Sequence, residues 1–331
     1  MGSFDRSVSL KQTRWTVTGA AGFIGSNLVE GLLSLDQDVV GVDNFSTGHR
    51  ENLEKVLAKI RPEQQRRFTF VEGDIQSPEV CRKACRGASA VLHHAAVVSV
   101  PFSVEHPTLT FDVNSKGFIN ILDAARAEGS RVVYASSSAV YGDLPGLPKT
   151  EESPVAPISP YGLSKRDNEL WGALYWQSYG VPTVGLRYFN IFGPRQDPKG
   201  AYAAVVAAWM NSLKKGRPGT VYGDGSNTRG FCHVRNVVEA NILAGTTERK
   251  DAFGQVFNIS SGSPVGLLDL YDVIRSVTGQ RGEETNPLFA PKRLGDVLHS
   301  AADISKAERV LGFVPRVSLE EGLADLARED G

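Results

Sequence analysis

The chain has 331 residues, of which 41% are hydrophobic and 22% charged, the composition of an ordinary globular protein large enough to bury a sizeable core. Its 36 basic and 37 acidic residues give a formal net charge of −1, so no basic excess indicates a nucleic-acid partner. Three cysteines are too few for a disulfide framework, and we find neither a signal peptide nor the roughly 20 apolar residues of a membrane span. We therefore expect a cytoplasmic protein that binds neither membranes nor nucleic acids.

Short apolar runs alternate with helical patterns through the first half of the chain. The runs predict strands over residues 14–18, 38–42, 68–71, 90–93, 132–135 and 183–186, with one more over 256–259. Residues 23–35, after the first run, have helical periodicity. Strands that are apolar on both faces and separated by helices indicate a parallel sheet covered on both sides. The predicted fold class is a doubly wound α/β (Rossmann) fold.

After about residue 190, glycine and proline divide the chain into shorter elements. Helices are predicted over 267–278 and 319–328, with a loop around Asn286-Pro287 between them. We predict two interleaved lobes. The first lobe comprises residues 1–189 plus about 232–260, and the smaller second lobe comprises about 190–231 plus 261–331.

The first predicted strand leads directly into the glycine-rich sequence Gly19-Ala20-Ala21-Gly22-Phe23-Ile24-Gly25. Glycines in such a turn allow the tight bend, let the backbone approach a pyrophosphate and let the following helix pack closely on the strand. The pyrophosphate would lie at the helix N-terminus, where free N–H groups and the dipole favour an anion. The Gly-x-x-Gly-x-x-Gly spacing differs from the Gly-x-Gly-x-x-Gly of ordinary dehydrogenases, and a glycine triplet alone is a weak indication.

Asp43 strengthens the prediction of a dinucleotide site. It ends the second predicted strand, about 20 residues beyond the glycine turn, where a carboxylate accepts hydrogen bonds from ribose hydroxyls. The carboxylate also repels a 2′-phosphate and no arginine immediately follows it, so NAD is predicted rather than NADP. The alternative is that Asp43 only forms a turn with Asn44.

Tyr161 and Lys165 form the predicted chemical centre. They stand at the start of a helix predicted to continue to about Tyr179, and their i,i+4 spacing places both side chains on one helix face. A tyrosine with its ordinary pKa near 10 is a poor base at neutral pH. A nearby ammonium group and the positive nicotinamide ring would both lower that pKa. The spacing is common, so the pair alone is not specific.

Three serines, Ser136-Ser137-Ser138, follow the strand predicted over 132–135. The carboxyl end of a parallel strand is where α/β proteins bind ligands, so a hydroxyl there can hydrogen-bond a reacting sugar oxygen. The alternative is that the serines only form a polar transition from strand to loop. The predicted site at Tyr161 and Lys165 makes this alternative the weaker one.

These motifs, from Thr18–Gly25 to Leu186-Arg187-Tyr188-Phe189-Asn190, together resemble the extended short-chain dehydrogenase/reductase family of NAD-dependent epimerases and dehydratases. The resemblance covers nearly the whole chain. It implies that Ser137, Tyr161 and Lys165 are catalytic. It implies cofactor contacts by Gly19, Gly22, Phe23, Ile24, Gly25, Asp43, Asn44, Ser46, Thr47, Gly48, Asp74, Ile75, Ala95, Ala96, Asn114, Ser136, Tyr161, Lys165 and Tyr188.

The second lobe is similar to that of UDP-sugar epimerases, above all the bacterial UDP-N-acetylglucosamine 4-epimerase group. The resemblance implies substrate contacts by Ser99, Ser137, Ser138, Asn190, Gln196, Ala204, Arg229, Arg293, Asp296 and Ser300. Arginines suit a diphosphate because guanidinium groups bind phosphate oxygens bidentately, although solvated surface arginines are the alternative. The chain departs from the family's pattern at Gly230, where Asp is frequent, and at Val98 and Phe102, which leaves the hexose open.

The resemblance implies a 4-epimerase that oxidises C4 of a UDP-sugar and reduces the 4-keto sugar on its other face. Similar 4,6-dehydratases and UDP-glucuronate decarboxylases carry carboxylates after the catalytic hydroxyl residue, whereas this chain has Ser138 and Ala139 there. A small residue at Ser300 would admit a 2-acetamido group, so we predict UDP-GlcNAc and UDP-GalNAc as substrates, with UDP-Glc and UDP-Gal as a further pair. A UDP-glucuronate 4-epimerase and a non-catalytic protein that binds NAD or nucleotide sugars are the alternatives. We expect a homodimer and, because the histidines are scattered, no metal site.

Overall fold

A computed structural model of the chain describes residues 10–198, 205–261, 263–292 and 299–328. The strands are β1 Arg14–Thr18, β2 Asp38–Asp43, β3 Phe68–Glu72, β4 Ala90–His93, β5 Arg131–Ser137, β6 Thr183–Tyr188, β7 Ile191–Phe192, β8 Thr220–Tyr222, β9 Thr228–Gly230, β10 Cys232–His233, β11 Gln255–Ile259, β12 Pro264–Gly266, β13 Leu288–Ala290 and β14 His299–Ser300. The helices are α1 Phe23–Ser34, α2 Arg50–Lys59, α3 Pro62–Gln65, α4 Pro78–Cys85, α5 Val100–Glu105, α6 Pro107–Phe111, α7 Gly117–Glu128, α8 Pro160–Tyr179, α9 Val205–Lys214, α10 Val234–Thr246, α11 Leu267–Val277, α12 Ser305–Leu311 and α13 Leu319–Arg328. A π-helical turn, Asp112–Lys116, joins α6 to α7.

Seven parallel strands form the central sheet, in the order β11-β6-β5-β4-β1-β2-β3. These are the seven strands predicted from the sequence, and the doubly wound α/β fold is confirmed. The strand order reverses between β1 and β4, so a crevice for a ligand opens at the carboxyl ends of these two strands. Every residue of β6 is buried, as expected for a strand with helices on both faces.

Two apolar cores cover the two faces of the sheet. Side chains of α1 and α10 pack on one face, around residues such as Leu28, Leu32 and Val237. Side chains of α4, α7 and α8 pack on the other face, around Phe118. Cys81 belongs to this second core, where burial raises the pKa of its thiol to about 12, in keeping with a plain packing role.

A third core lies among α9, α11 and α13, where Trp209 packs edge-on against Tyr271 with 4.9 Å between the ring centroids. This core belongs to the predicted second lobe. Residues of α12, which fall in the range predicted for that lobe, pack instead on the sheet beside β11, with Ala307 and Leu311 in the main core. The division into two functional lobes stays a prediction.

No helix of the described residues is long and apolar enough to cross a membrane. In the same parts of the chain, no cluster of three or more His, Cys, Asp or Glu side chains could hold a metal ion.

Candidate active site

The glycine turn between β1 and α1 contains two very close approaches of backbone to backbone. Gly19 has a φ of +69°, and a Cβ there would lie 2.8 Å from the amide nitrogen of Ala95, which follows β4. A Cβ at Gly25 would lie 1.9 Å from the carbonyl oxygen of Gly19, so only glycine lets α1 pack on the turn. The helix begins after Gly22 with no side-chain cap and no acidic residue in its first turn. Its first N–H groups are therefore available to an anion, as the sequence predicted.

Asp43 is 8% exposed at the carboxyl end of β2, where it fastens the glycine turn to the sheet. Its Oδ2 accepts a hydrogen bond from the Ala21 amide at 2.9 Å, and its Oδ1 accepts one from the Phe45 amide at 2.8 Å. Each carboxylate oxygen has a further lone pair for a ribose hydroxyl. A Cβ at Gly48 would lie 2.9 Å from Oδ2, so the glycine keeps this oxygen accessible.

The predicted adenine side of the site is held together by neighbouring loops. The Asn44 amide donates to Asp74 Oδ2 at 2.8 Å, while its carbonyl accepts from the Ser46 amide at 3.0 Å. Ile75 is buried and meets the side of Gly117, the first residue of α7. The structure thus brings the loops after β2 and β3 together beside the crevice.

Tyr161 and Lys165 lie on one face of α8, as the spacing predicted. The Lys165 Nζ lies 5.9 Å from the centre of the Tyr161 ring and donates a hydrogen bond to the Ala135 carbonyl oxygen at 3.0 Å. This contact connects the helix to the end of β5. Ser159 caps α8 by accepting from the Gly162 amide at 3.1 Å.

Ser136 and Ser137 point to opposite faces of β5, as successive strand residues must. The Ser137 hydroxyl interacts with the Tyr161 phenol and accepts from the Ala139 amide at 3.2 Å. The Ser136 hydroxyl instead donates to the buried carboxylate of Glu169 at 2.6 Å. A contact of Ser136 with a cofactor would therefore have to come from its main chain.

Burial is the dominant electrostatic influence on the predicted catalytic pair, Tyr161 and Lys165. It raises the pKa of Tyr161, which interaction with Ser137 partly counteracts, and it lowers the pKa of Lys165 to about 8. The predicted lowering of the Tyr161 pKa by the Lys165 ammonium group stays a prediction for the protein with NAD bound, because desolvation dominates the pKa in the chain alone. The positive nicotinamide ring is the second group that we expect, from the sequence, to lower the pKa of Tyr161.

Two residues at the site were missed by the sequence reasoning. Ser103, fully buried on α5, accepts a hydrogen bond from the Tyr161 amide at 3.1 Å and so fixes the first turn of α8. Glu169 forms two short contacts with Arg187 of β6, at 2.7 and 2.8 Å, and both side chains are buried. Glu169 lies about two helical turns after Tyr161, and Arg187 lies within a strand. Nothing in the sequence around either residue indicates that the two side chains pair.

Asn114 lies in the π-helical turn and binds α8 to the segment after β4. Its side chain accepts from the Val97 amide at 2.7 Å and donates to the Ser164 hydroxyl at 2.9 Å. Its carbonyl oxygen accepts from the Asn168 amide at 2.8 Å. The predicted cofactor contact at Asn114 thus falls on a buried residue whose side chain already holds the site together.

Tyr188 ends β6 next to Ser137 of β5 in the sheet register. Its hydroxyl group is used internally, by His94 Nε2 and by the Asn241 amide, each at 2.8 Å. Burial lowers the pKa of His94 to about 3, so this imidazole is neutral at physiological pH. A cofactor contact of Tyr188 would involve other atoms than its hydroxyl.

The predicted substrate residues fall into three places. Ser99 caps α5 by accepting from the Phe102 amide at 3.2 Å, and Ser138 follows β5. Arg229 of β9 and Ser300 of β14 are direct partners in neighbouring parallel strands. The other described members are on the loops after β6 and β7, where the Asn190 amide donates to the Gly230 carbonyl at 2.9 Å and the Gln196 amide donates to the Ile191 carbonyl at 3.0 Å. Ala204, Arg293 and Asp296 lie outside the described residues.

Comparison with known proteins identifies the architecture. A model of the NAD dependent epimerase/dehydratase family matches residues 15–260. The chain belongs to this family. The UDP-glucose 4-epimerase of Mycolicibacterium smegmatis is 38% identical over 314 residues, which covers 94% of this chain and 96% of that protein.

Solved structures of family members are similar over the same extent. The UDP-N-acetylglucosamine 4-epimerase of Methanobrevibacter ruminantium M1, in complex with UDP-N-acetylmuramic acid, gives a TM-score of 0.88 at 32% identity and covers 96% of this chain and 98% of its own. The UDP-glucose 4-epimerase of Thermus thermophilus, in complex with NAD, gives a TM-score of 0.81 at 35% identity, covering 95% of this chain and 97% of its own. A dTDP-glucose 4,6-dehydratase of Streptomyces venezuelae and a UDP-glucuronic acid decarboxylase of Arabidopsis thaliana also match, each at 31% identity.

The family's cofactor is NAD, and the residues of this chain fit it. The uncapped start of α1 suits a pyrophosphate. Because Gly19 and Gly25 have no side chains, the backbone of the turn is open to such a group. Asp43, accessible beside Gly48, suits a ribose and disfavours a 2′-phosphate. The buried ammonium group of Lys165 lies at the opposite end of the crevice, beside the carboxyl end of β5.

Proposed function

We propose that the chain is a 4-epimerase of UDP-hexoses that interconverts UDP-GlcNAc and UDP-GalNAc, with UDP-Glc and UDP-Gal as a second pair. The observation that carries the proposal is the convergence of Ser137, Tyr161 and Lys165 at the carboxyl end of β5. The first lobe would bind NAD, and the second would bind the nucleotide part of the substrate.

The chain's own groups perform the proton and positioning steps. Tyr161, in its phenolate form, takes the proton of the C4 hydroxyl group, and Ser137 hydrogen-bonds the same oxygen while the proton moves. Lys165, held by the Ala135 carbonyl, supplies positive charge next to the phenol. When bound, NAD supplies the hydride acceptor at C4 and later returns the hydride, so the cycle consumes no cofactor. The 4-keto sugar turns over in between, and Tyr161 returns the proton.

The sequence after Ser137 favours epimerisation over the related eliminations. Dehydration at C5–C6 needs a carboxylate acid/base pair, whereas Ser138 and Ala139 follow the catalytic serine here. Neither Ser138 nor Ala139 has a carboxylate that could serve as that acid or base.

The substrate preference rests on Ser300. This small side chain lies directly beside Arg229 in the sheet register, so a sugar whose diphosphate is bound by Arg229 would be close to it. A small residue leaves room for a 2-acetamido group. The similarity to a UDP-N-acetylglucosamine 4-epimerase supports this choice, while the similarity to UDP-glucose 4-epimerases supports the second pair.

The proposed assembly is a homodimer formed through α8 and its neighbours. Leu163, Leu170 and Leu174 recur on one face of α8 and are 61%, 54% and 43% exposed. Val104 and Phe111 on the adjoining helices are 61% and 57% exposed. An apolar helical face of this extent is typical of a surface that another protein copy covers.

The test is product analysis with a panel of UDP- and dTDP-sugars and no added NAD. We expect C4 epimers of the UDP-hexoses and tightly bound NAD in the purified protein. Tyr161→Phe should retain NAD and UDP binding but lose turnover by roughly 10²- to 10⁴-fold, since it removes the acid/base group. The matched control is Tyr179→Phe at the exposed end of the same helix, which should keep full activity.

Three outcomes would contradict the proposal in different ways. Conversion of UDP-glucuronate alone would make the protein a UDP-glucuronate 4-epimerase. Binding of NAD and UDP-sugars without turnover would make it a non-catalytic binding protein. If Ser300→Tyr left the ratio of acetamido-sugar to plain-hexose activity unchanged, Ser300 would have no part in the preference.

A further inference from the structure

The loop that follows β7 contains a strained residue fastened to the helix of the cofactor turn. Arg195 has a φ of +66°, a conformation that is strained for a residue other than glycine. Its side chain is only 4% exposed. A strained and buried arginine needs compensating contacts, and here they lie on α1.

The contacts between Arg195 and α1 are short. The Arg195 Nη2 lies 2.6 Å from Glu30 Oε2, an ion-pair contact without hydrogen-bond geometry, and its Nε donates to the Ser26 hydroxyl at 2.9 Å. The preceding residue takes part as well, since the Asn27 amide donates to the Pro194 carbonyl at 3.1 Å. Three side chains of α1 therefore hold two successive residues of the loop.

The same side chains lead back to the first residue of α1. The Ser26 hydroxyl donates to the Phe23 carbonyl at 3.1 Å, and the Asn27 amide donates to it at 2.9 Å. Phe23 is the residue at which the helix begins, where the pyrophosphate of NAD is expected to bind. The position of the loop is thus set relative to the cofactor turn.

The next residue along the loop, Gln196, has an unused acceptor. Its amide nitrogen donates to the Ile191 carbonyl at 3.0 Å, but its Oε1 is buried without a partner among the described residues. A buried acceptor of this kind is normally paired with a donor on the protein, a water molecule or a ligand. The loop starts at the carboxyl edge of the sheet, beyond Tyr188 and beside Ser137, where the nucleotide sugar of the proposed function would lie.

We propose that Arg195 is a positioning residue for the nucleotide-sugar substrate: its contacts with Glu30 and Ser26 hold the loop so that Gln196 Oε1 faces a donor group of the substrate. The inference rests on the proposed function for the identity of the ligand. Arg195 itself touches neither the substrate nor NAD; it acts through the backbone of the loop.

The test uses Arg195→Gly, which distinguishes the effect of the backbone conformation from the effect of the side-chain contacts. Glycine adopts a φ of +66° without strain, so if the conformation were all that mattered, Arg195→Gly would behave like the wild type. If the contacts with α1 position the loop, we expect the Kd for UDP and the KM for the UDP-sugar to rise about tenfold. The kcat and the amount of bound NAD should stay close to wild type, and Arg195→Lys, which keeps the charge without the two-pronged contact, should fall in between.

A matched control is Asp36→Gly. Asp36 also has a positive φ, of 58°, and also forms an ion pair, with Arg61 at 3.2 Å, but it follows α1 at the end remote from the cofactor turn. We expect its Kd for UDP and its KM to equal those of the wild type. Should Arg195→Gly fail to fold, Glu30→Gln removes the ion pair from the α1 side and should raise the same two constants.

Calorimetry with UDP keeps this inference separate from the proposed function. A wild-type protein that binds UDP without epimerising any sugar would refute the proposed function, and the UDP affinities of the variants would still decide the role of Arg195. Wild-type Kd for UDP in both Arg195→Gly and Glu30→Gln would overturn the inference. So would a wild-type protein that does not bind UDP.

Discussion

Lys165 is buried near the Tyr161 ring, and its own titration has a consequence for stability. Burial lowers the pKa of its ammonium group from the ordinary 10.5 to about 8. Between these two pH values the unfolded chain holds a proton on Lys165 that the folded chain has released. The unfolded state therefore binds more protons there, so the free energy of unfolding rises with pH across this window.

We predict that Lys165→Met removes this rise. In NAD-free protein, the difference in free energy of unfolding between wild type and variant should change by roughly 3 kcal/mol from pH 8 to pH 10.5, in favour of the wild type at the higher pH. Urea denaturation at a series of pH values measures it. A pH-independent difference would mean that Lys165 titrates near its ordinary value despite its burial.

Some features of single residues could be predicted from the sequence alone, and others could not. Ser136 and Ser137 were both predicted at the site, and strand alternation sends only Ser137 toward Tyr161. The alternation was predictable, but which of the two serines would face the crevice depends on the register of β5 against α8. The contact of α5 with Tyr161 was likewise out of reach, because Ser103, which accepts from the Tyr161 amide, is distant in sequence.

At the scale of elements, α8 is attached to the sheet by a line of side chains at i, i+4 and i+8. Tyr161 and Lys165 are followed at this spacing by Glu169, whose carboxylate binds Arg187 of β6 and the Ser136 hydroxyl of β5. The ion pair lies about one turn from Lys165. It therefore sets the height of α8 above the two strands whose ends form the site.

We predict that Glu169→Gln lowers the free energy of unfolding by about 3–5 kcal/mol, because it leaves the guanidinium group of Arg187 buried and uncompensated. The control is Glu72→Gln, which removes the solvent-exposed pair with Arg50 at 3.0 Å and should cost less than about 1 kcal/mol. Urea denaturation of both variants measures the contrast. Equal losses would show that the buried pair is no more important to stability than a surface one.

Whole elements were more predictable than their pairings. The strands of the central sheet are apolar on both faces, so runs such as Val39–Val42 were recognisable, as was α8 from its helical length. The short strands β7 to β10 and β12 to β14 were not predicted, since two or three residues carry no period. The pairing of β9 with β14 brings Arg229 next to Ser300 from segments far apart in sequence.

At the scale of the whole molecule, the apolar face of α8 bears on assembly. We predict that the double variant Leu170→Glu, Leu174→Glu is monomeric while the wild type is dimeric, because two carboxylates on each copy would have to be desolvated in the contact. Sedimentation velocity over a range of concentrations measures this.

The control for assembly is Val314→Glu, which places the same charge at a 53% exposed valine in the segment after α12 and should leave the dimer intact. A dimer that persists in the double variant would assign the contact to another surface. A monomeric wild type would refute the proposed homodimer altogether.

The seventh strand of the sheet has a consequence for how the protein is made. Strand β11 covers the outer edge of β6, yet it is separated from β6 by most of the second lobe. Before the ribosome has synthesised β11, one edge of β6 has a row of unpaired N–H and C=O groups. The side chains of β6, all of which are buried in the folded protein, are then next to this open edge. A nascent chain at this stage, or a fragment cut near residue 190 to isolate the NAD-binding part, would be prone to join edge to edge with its copies. Successful synthesis thus depends on the late arrival of one five-residue segment.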